Sequence, residues 1–326
     1  MANETSFKAL RKRFVKDYNL PINIFDEEIF NYYKELYDFF PTAEYNSLLK
    51  MIEDRFDGSV EKWLDYCAAV RDDCILKTME TPEYKVFNTE DSSKWDIPDT
   101  MPKIGEHSIY TEENDGKLFV SIDLKKANFQ ALKYAGVLKE NSYDEFVFNH
   151  GGDEYIAGSK YLRQVIFGKM NAGRTIKVEK YLMSKIYDLT HAIFEMQGFE
   201  LYSLNSDELI FKDVSNHGWF NLRWSEAASD VQKLIKTVIG IDVRVEYVYV
   251  QRYNIVNANG NKIDAYKRKN AYNDKCELKK ASTTFFPQIY KLIHHMEIEE
   301  IDRKFFVDDQ IATFDKPLRY ENNSNK

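Results

Sequence analysis

The sequence has few of the residues that interrupt regular structure or cross-link a chain. Its 326 residues include only 7 prolines, 13 glycines and 3 cysteines. So little proline and glycine predicts long regular elements joined by few loops. The cysteines are odd in number and lack the paired spacing of metal ligands, which argues against a disulfide framework. We therefore predict an intracellular, reducing and cytoplasmic location.

Long apolar runs are also missing. No stretch approaches the roughly 18 apolar residues that a membrane helix needs, and the opening residues lack the apolar core of a signal peptide. Hydrophobic residues nevertheless make up 44% of the chain and aromatic residues 15%. This composition predicts a globular protein with a substantial core and no membrane partner.

Charge is distributed unevenly along the chain. The net charge of −8 argues weakly against a partner that coats the whole surface with phosphate, although it leaves room for a local basic groove. Between Ser159 and Lys185 there are seven basic residues and one acid, Glu179. The segments KALRKRFVK near the start and YKRKN at 266–270 are further basic clusters.

Hydrophobic periodicity predicts an α+β fold in which a small, mostly antiparallel sheet is covered by helices. Helical regions are expected at both ends of the chain. The segments are predicted as a helical region at 1–105, a strand and helix at 106–140, a helical region at 141–197, a hairpin with a helix and further strands at 198–265, and a helical region at 266–326.

Three short segments carry candidate chemistry, and the first is SIDLKKANFQ. It places Asp123 at the end of a predicted strand, where the chain turns into a helix. A carboxylate there can reach a ligand beyond the sheet edge. The alternative interpretation is a helix N-cap, a position that aspartate favours.

The second segment is SKYLRQVIFGKMNAGR. On a helix Arg163, Phe167, Asn171 and Arg174 form one stripe, with Lys160 one turn earlier. Cations around a central aromatic ring suit a triphosphate and a stacked base. A solvated basic face with Phe167 turned inward is an equally good interpretation.

The third segment is SLNSDELIFK, which places Asp207 and Glu208 at the tip of a predicted hairpin. Adjacent carboxylates repel and are tolerated best beside a cation or a proton, although Asn-Ser-Asp is also ordinary turn chemistry. If the tip lies beside Asp123, the carboxylates converge without histidine or cysteine. Such all-oxygen ligation favours Mg²⁺.

In order and in context, the three segments resemble motifs A, B and C of the family A DNA polymerases and the related single-subunit phage RNA polymerases. SDELIF is similar to the His-Asp-Glu-Leu hairpin of that family. RQVIFGKMNAG is similar to its pattern Lys-x-x-x-Phe-Gly-x-x-Tyr-Gly. The resemblance covers about residues 117–255.

The resemblance implies roles for several residues. Asp123 and Asp207 would bind two Mg²⁺ ions, for which Mn²⁺ could substitute. Glu208 would be their acidic neighbour, and the carbonyl of Leu124 a further ligand. The remaining roles concern the nucleotide: the triphosphate would be held by Lys160, Arg163 and Arg174, and the base would stack on Phe167.

Two positions depart from the family pattern. Asn128 stands where DNA polymerases carry a glutamate that helps to reject ribose, and Asn171 replaces a tyrosine that shares this task. The resemblance also implies palm segments at 106–140 and 198–265, minimal fingers at 141–197 and a thumb-like or accessory region at 1–105.

The leading hypothesis is therefore a compact, phage-like, template-directed nucleotidyltransferase of the DNA polymerase type, acting in replication. Its partners would be a nucleic-acid template and primer and nucleoside triphosphates. The alternatives are an RNA-synthesising primase or small RNA polymerase, a nucleotidyl cyclase-like activity, and a nucleic-acid-binding or structural protein without enzymatic activity.

Overall fold

The computed structural model describes residues 4–99, 101–215, 224–273, 275–308 and 310–321. Its N-terminal part is helical, as the apolar spacing predicts. The five helices there are α1 (Glu4–Tyr18), α2 (Glu27–Leu36), α3 (Thr42–Phe56), α4 (Val60–Glu80) and α5 (Pro82–Thr89). Ser59 and Thr81 accept hydrogen bonds from backbone amides in the first turns of α4 and α5, so both helices start at capped residues.

The middle of the chain alternates helices and strands. The elements are β1 (Leu118–Leu124), α6 (Ala127–Tyr134), α7 (Tyr143–Asn149), α8 (Glu154–Gly158), α9 (Lys160–Gly168), α10 (Ala172–Met196), β2 (Phe199–Leu204), β3 (Glu208–Asp213), α11 (Trp224–Ile239) and β4 (Val243–Arg252). The predicted strand, hairpin and helix ending at Gly240 are confirmed. Gly240 has φ of +84°, a left-handed conformation that glycine adopts without strain.

The last part of the chain differs from the sequence prediction. Residues 266–326 were expected to be helical, yet their described part holds one α-helix, α12 (Phe286–Ile293), and its other regular elements are mainly short strands joined by loops. In chain order the strands after β4 are β5 (Ile255–Val256), β6 (Lys262–Ile263), β7 (Tyr266–Asn270), β8 (Cys276–Lys279), β9 (Lys304–Val307), β10 (Gln310–Thr313) and β11 (Arg319–Tyr320). These strands are too short for their period to be read reliably from sequence.

The main sheet has six strands in the order β2-β3-β1-β4-β7-β8, and every described pairing in it is antiparallel. The chain therefore has an α+β fold with a small antiparallel sheet. β1 lies in the middle, between the hairpin strand β3 and the alternating strand β4. This position brings the end of β1 beside the tip of the hairpin.

Alternate residues of these strands give the sheet two different faces. On the helix-covered face, Val120, Ile122, Leu209 and Phe211 are fully buried in the main core. Helices α10 and α11 pack against this face, with the Phe194 ring 4.8 Å from the ring of Phe211.

The opposite face, which we call the charged face, has a much smaller apolar cluster. Phe119, Ile210 and Val248 are its centre, and the segment that contains Ile109 packs against it. Toward the end of β1 the same face carries only polar residues. These are Ser121, Asp123, Glu208, Arg244 and Glu246.

Candidate active site at the end of the central strand

The acids of the first and third segments meet in the structure. Asp123 is directly opposite Glu208 in the β1–β3 ladder, and the amide of Leu124 donates a 2.9 Å hydrogen bond to the carbonyl of Asp207. Residues directly opposite each other in an antiparallel pair lie on the same face. The strand end and the hairpin tip, 84 positions apart in the chain, are therefore neighbours in space.

Asp123 is an unusual carboxylate because burial opposes its charge. Desolvation raises its pKa to about 6, and the nearby charges of Glu208 and Asp207 act in the same direction, while Arg244 works against them. Because Arg244 compensates the negative charge of Asp123 only in part, a cation bound nearby would stabilise the ionised carboxylate further.

Arg244 is a site residue that the sequence analysis did not assign. It lies opposite Asp123 in β4, and its Nη2 is 3.3 Å from Asp123 Oδ2. This separation is longer than that of a strong charge-assisted hydrogen bond. Arg244 also approaches Glu246, which in turn forms a 2.8 Å ion pair with the buried Arg268.

The second acid of the hairpin has a protein partner. Ser121 donates a 2.5 Å hydrogen bond to Glu208 Oε1. Beside it in the turn, the side-chain oxygen of Asn205 is buried and accepts no hydrogen bond from the described residues. A buried acceptor without a donor is costly, and a cation or an ordered water would relieve this cost.

Glu179 is a second residue whose role the sequence analysis missed. It is 3% exposed on α10, and the side-chain amide of Asn128 donates a 2.6 Å hydrogen bond to its Oε1. Burial raises its pKa to about 7, and the charge of Asp207 adds to this shift. The signal that could have revealed it was its isolation as the single acid within the basic segment 159–185.

Arg163 is close enough to Asp123 for their charges to interact. It is the fourth residue of α9, which begins at the cap Ser159, and its guanidinium lies 5.8 Å from the Tyr143 ring centre. Burial lowers its pKa, which the charges of Tyr143, Asp144 and Asp123 partly offset. Among the described residues its guanidinium forms no ion pair and no hydrogen bond. Lys160, one turn earlier, is exposed.

Phe167 does not have the role predicted for it. Its side chain is 1% exposed and packs against the rings of Tyr143 and Phe146. No face of the ring is left for a nucleotide base, so the predicted base-stacking role is wrong, and Phe167 is a core residue. The apolar partners supplied by α7 explain why it turns inward.

Asn171 and Arg174 contact α5 and the turn after it. Asn171 is the N-cap of α10, has φ of +49°, and bonds to Asn88. Arg174 donates to the carbonyl of Glu90, and its guanidinium lies 5.3 Å from the ring centre of Phe87. The predicted stripe is thus divided: Asn171 and Arg174 contact α5 and the turn after it, whereas Arg163 interacts with the charge of Asp123.

The described ranges contain neither a clustered metal site nor a membrane-spanning helix. There, no three Asp, Glu, His or Cys side chains are grouped closely enough to form a metal site. Nor does any helix of those ranges have the length and apolar character that crossing a bilayer requires.

No protein-family model matches this chain, and no curated protein matches it in sequence. The resemblance to the family A polymerases therefore rests on the three motifs quoted above. The geometry of the candidate site has to be interpreted from its own chemistry.

Proposed function

We propose that this protein is a compact template-directed nucleotidyltransferase that extends the 3′ end of a nucleic acid. The observation that carries the proposal is the contact between Leu124 and Asp207, which brings Asp123 and the hairpin acids to one end of the sheet. The guanidinium of Arg163, which has no ion-pair partner among the described residues, is close enough to Asp123 for their charges to interact and would supply positive charge for a triphosphate.

The donor atoms at this site suit a hard divalent cation. Asp123 and Asp207 are the residues that would hold Mg²⁺ or Mn²⁺, and the unsatisfied oxygen of Asn205 lies in the same turn as Asp207. All of these donors are oxygen atoms, the type that Mg²⁺ prefers. Because the described residues provide fewer than three clustered acids, substrate phosphates would have to complete the coordination.

In the proposed reaction, Asp123, Asp207 and Arg163 have separate roles. Asp123 and Asp207 would hold the cations close to the attacking 3′-hydroxyl and the α-phosphate, and Arg163 would bind the pyrophosphate that leaves. When bound, the cations would lower the pKa of the attacking hydroxyl and stabilise the charge that develops on phosphate. Such catalysis consists mainly of positioning and charge neutralisation.

A primer-extension assay tests the proposal. The wild-type protein should elongate a labelled primer on a template with Mg²⁺ or Mn²⁺, given either deoxyribonucleoside or ribonucleoside triphosphates. Asp123→Asn and Asp207→Asn should each lower the rate by at least about a hundredfold, because several kcal/mol of charge stabilisation are lost. Comparing the two sets of triphosphates would separate a DNA polymerase from a primase or RNA polymerase.

The matched control is Asp65→Asn, which removes the same charge from an exposed position on α4. It should leave elongation unchanged, and thermal unfolding should show that all three variants are folded. Wild-type rates in both aspartate variants would contradict the assignment of the site.

A second candidate, a nucleic-acid-binding protein without catalysis, is favoured by the contact between Arg244 and Asp123. In that case Arg244 would serve as the permanent partner of the carboxylate. This second hypothesis predicts that the wild-type protein binds nucleic acid but does not elongate a primer. It also predicts that Asp123→Asn and Asp207→Asn bind nucleic acid with unchanged affinity.

A further inference from the structure

A basic pocket lies outside the candidate active site, at the same end of the sheet. It has a volume of about 360 Å³ and is bordered by the end of β1, the start of β4 and one face of α11. The residues that matter to its chemistry are Lys125, Lys233, Lys236, Ser229, Thr237 and Asp242.

Most of the positive charge in this pocket is not neutralised. Lys236 forms a 2.7 Å ion pair with Asp242, which also accepts a 3.3 Å hydrogen bond from Gln130. Among the described residues, the acid paired with Lys233 is Asp230, at 3.6 Å and with both side chains about three-quarters exposed, a pairing that solvent weakens strongly. Three lysines against one lining carboxylate leave a net charge of +2.

The arrangement of donors suits a phosphate group. Ser229, Lys233, Lys236 and Thr237 follow one another at i, i+4, i+7 and i+8, so they form a single stripe along α11. Ammonium groups and hydroxyl groups both donate hydrogen bonds to phosphate oxygens. A simpler explanation, that lysines near the end of a helix offset its dipole, does not account for Lys125, which comes from β1's end.

The pocket is joined to the candidate site by the backbone. Lys125 follows Asp123 by two residues, and its amide donates a 3.0 Å hydrogen bond to the carbonyl of Asp242. Two extended residues span about 7 Å, and each strand of a DNA duplex has one phosphate per 3.4 Å of helix axis. The pocket lies on the α11 side of the sheet end and Asp123 on the charged face, so a strand that ends at Asp123 would pass around the end of β1 to place a backbone phosphate in the pocket.

We propose that this pocket binds a backbone phosphate of the nucleic-acid strand that the candidate site acts on. The phosphate chemistry follows from the pocket alone. The choice of a polynucleotide as its source rests on the proposed function.

Fluorescence anisotropy with a labelled 20-nucleotide single strand tests the proposal. The triple variant Lys125→Gln, Lys233→Gln and Lys236→Gln should bind at least about tenfold more weakly. The slope of log affinity against log salt should fall by about 0.7, because that is the contribution of one lost phosphate contact on a single strand. Glutamine keeps most of the side-chain length, and thermal unfolding should show that the variant is folded.

The matched control is the triple variant Lys50→Gln, Lys85→Gln and Lys316→Gln. It removes the same total charge from exposed positions elsewhere and should leave affinity and salt slope nearly unchanged. Equal weakening in the two triple variants would overturn the proposal, since it would reflect overall charge only.

Competition with tripolyphosphate separates the two sources of phosphate. If the pocket variant loses tripolyphosphate binding but keeps its oligonucleotide affinity, the pocket serves a free phosphate compound and the proposal is wrong. If the variant loses oligonucleotide affinity while the wild type shows no primer extension, the phosphate site is upheld and the proposed catalytic function fails.

Discussion

The two faces of the main sheet are built from alternate residues of the same strands, yet they differ in almost every physical property. On the helix-covered face, Ile122 and Phe211 are fully buried against α10 and α11. On the charged face, Asp123 and Arg244 keep partial contact with solvent, and their side chains are 29% and 48% exposed. The helix-covered face holds the apolar core and the charged face holds the candidate site. Substitutions on the first should therefore mainly change the free energy of unfolding, and substitutions on the second should mainly change charge and ligand binding.

The largest effect on stability is expected on the helix-covered face. Phe211→Ala should lower the free energy of unfolding by about 3–5 kcal/mol, because it leaves a cavity beside Phe194. Asp123→Asn, on the other face, should not lower it, and above pH 6 should raise it, because burial opposes the charge of Asp123 and holds its pKa at about 6. Urea titrations of both variants measure this contrast, and similar losses would show that the faces are not independent.

The next largest effect concerns Glu179 and depends on pH. Its pKa is raised from 4.5 to about 7 in the folded state, so the fold favours the protonated form. This contribution is fully present below pH 4.5 and is lost as the pH rises toward 7. Glu179→Gln stays neutral and can still accept from Asn128, so above pH 7 it should be more stable than wild type by up to about 3 kcal/mol.

Thermal unfolding of Glu179→Gln and wild type between pH 4.5 and 8.5 checks this prediction. The curves should converge at the acidic end and separate as the pH rises. Asp188→Asn, an exposed change on the same helix, is the control and should not alter the pH dependence. A constant difference at all pH values would mean that Glu179 is already ionised in the folded protein.

A smaller effect is expected from the ion pair between Arg268 and Glu246. Arg268 is 8% exposed, and Arg268→Met keeps much of its apolar stem while removing the charge. We expect a loss of about 2 kcal/mol, less than for an isolated buried pair, because Arg244 remains 3.5 Å from Glu246. Urea unfolding measures it, and a double variant with Glu246→Gln should recover part of the loss.

The smallest effect on stability is expected from Arg244→Gln. Exposed ion pairs contribute at most about 1 kcal/mol, and the contact with Asp123 is long at 3.3 Å. The same change should strengthen Mn²⁺ binding, because Asp123 loses a competing cation. Calorimetric titration with Mn²⁺ measures this, and unchanged binding would show that Arg244 does not compete with the metal ion.

The fold around β1, the hairpin and β4 could be predicted because their local patterns agree with their environment. Val243, Val245 and Tyr247 alternate with Arg244 and Glu246, and the structure buries the first set more deeply than the second. The meeting of Asp123 with Asp207 was inferred only through the motif resemblance, since no local pattern specifies which distant segments pair.

The burial of Phe167, the role of Glu179 and the C-terminal strands depend on tertiary contacts, which local sequence patterns do not specify. Phe167 turns inward because α7 provides aromatic partners, and Glu179 matters because α6 presents Asn128 to it. The predicted helical C-terminal region is wrong because its short strands, such as β7, are stabilised by ladders with the neighbouring strands β4 and β8, which their own short patterns do not reveal.

The fully buried carboxylate of Asp17 links α1 to the start of α9. It accepts hydrogen bonds from Tyr155 and from Ser159, the cap of α9, and pairs with Arg13. Because α9 carries Arg163, the hydrogen bond between Asp17 and the cap of α9 stabilises the helix that holds this guanidinium. Shortening the chain near α1 should therefore destabilise the start of α9 and displace Arg163.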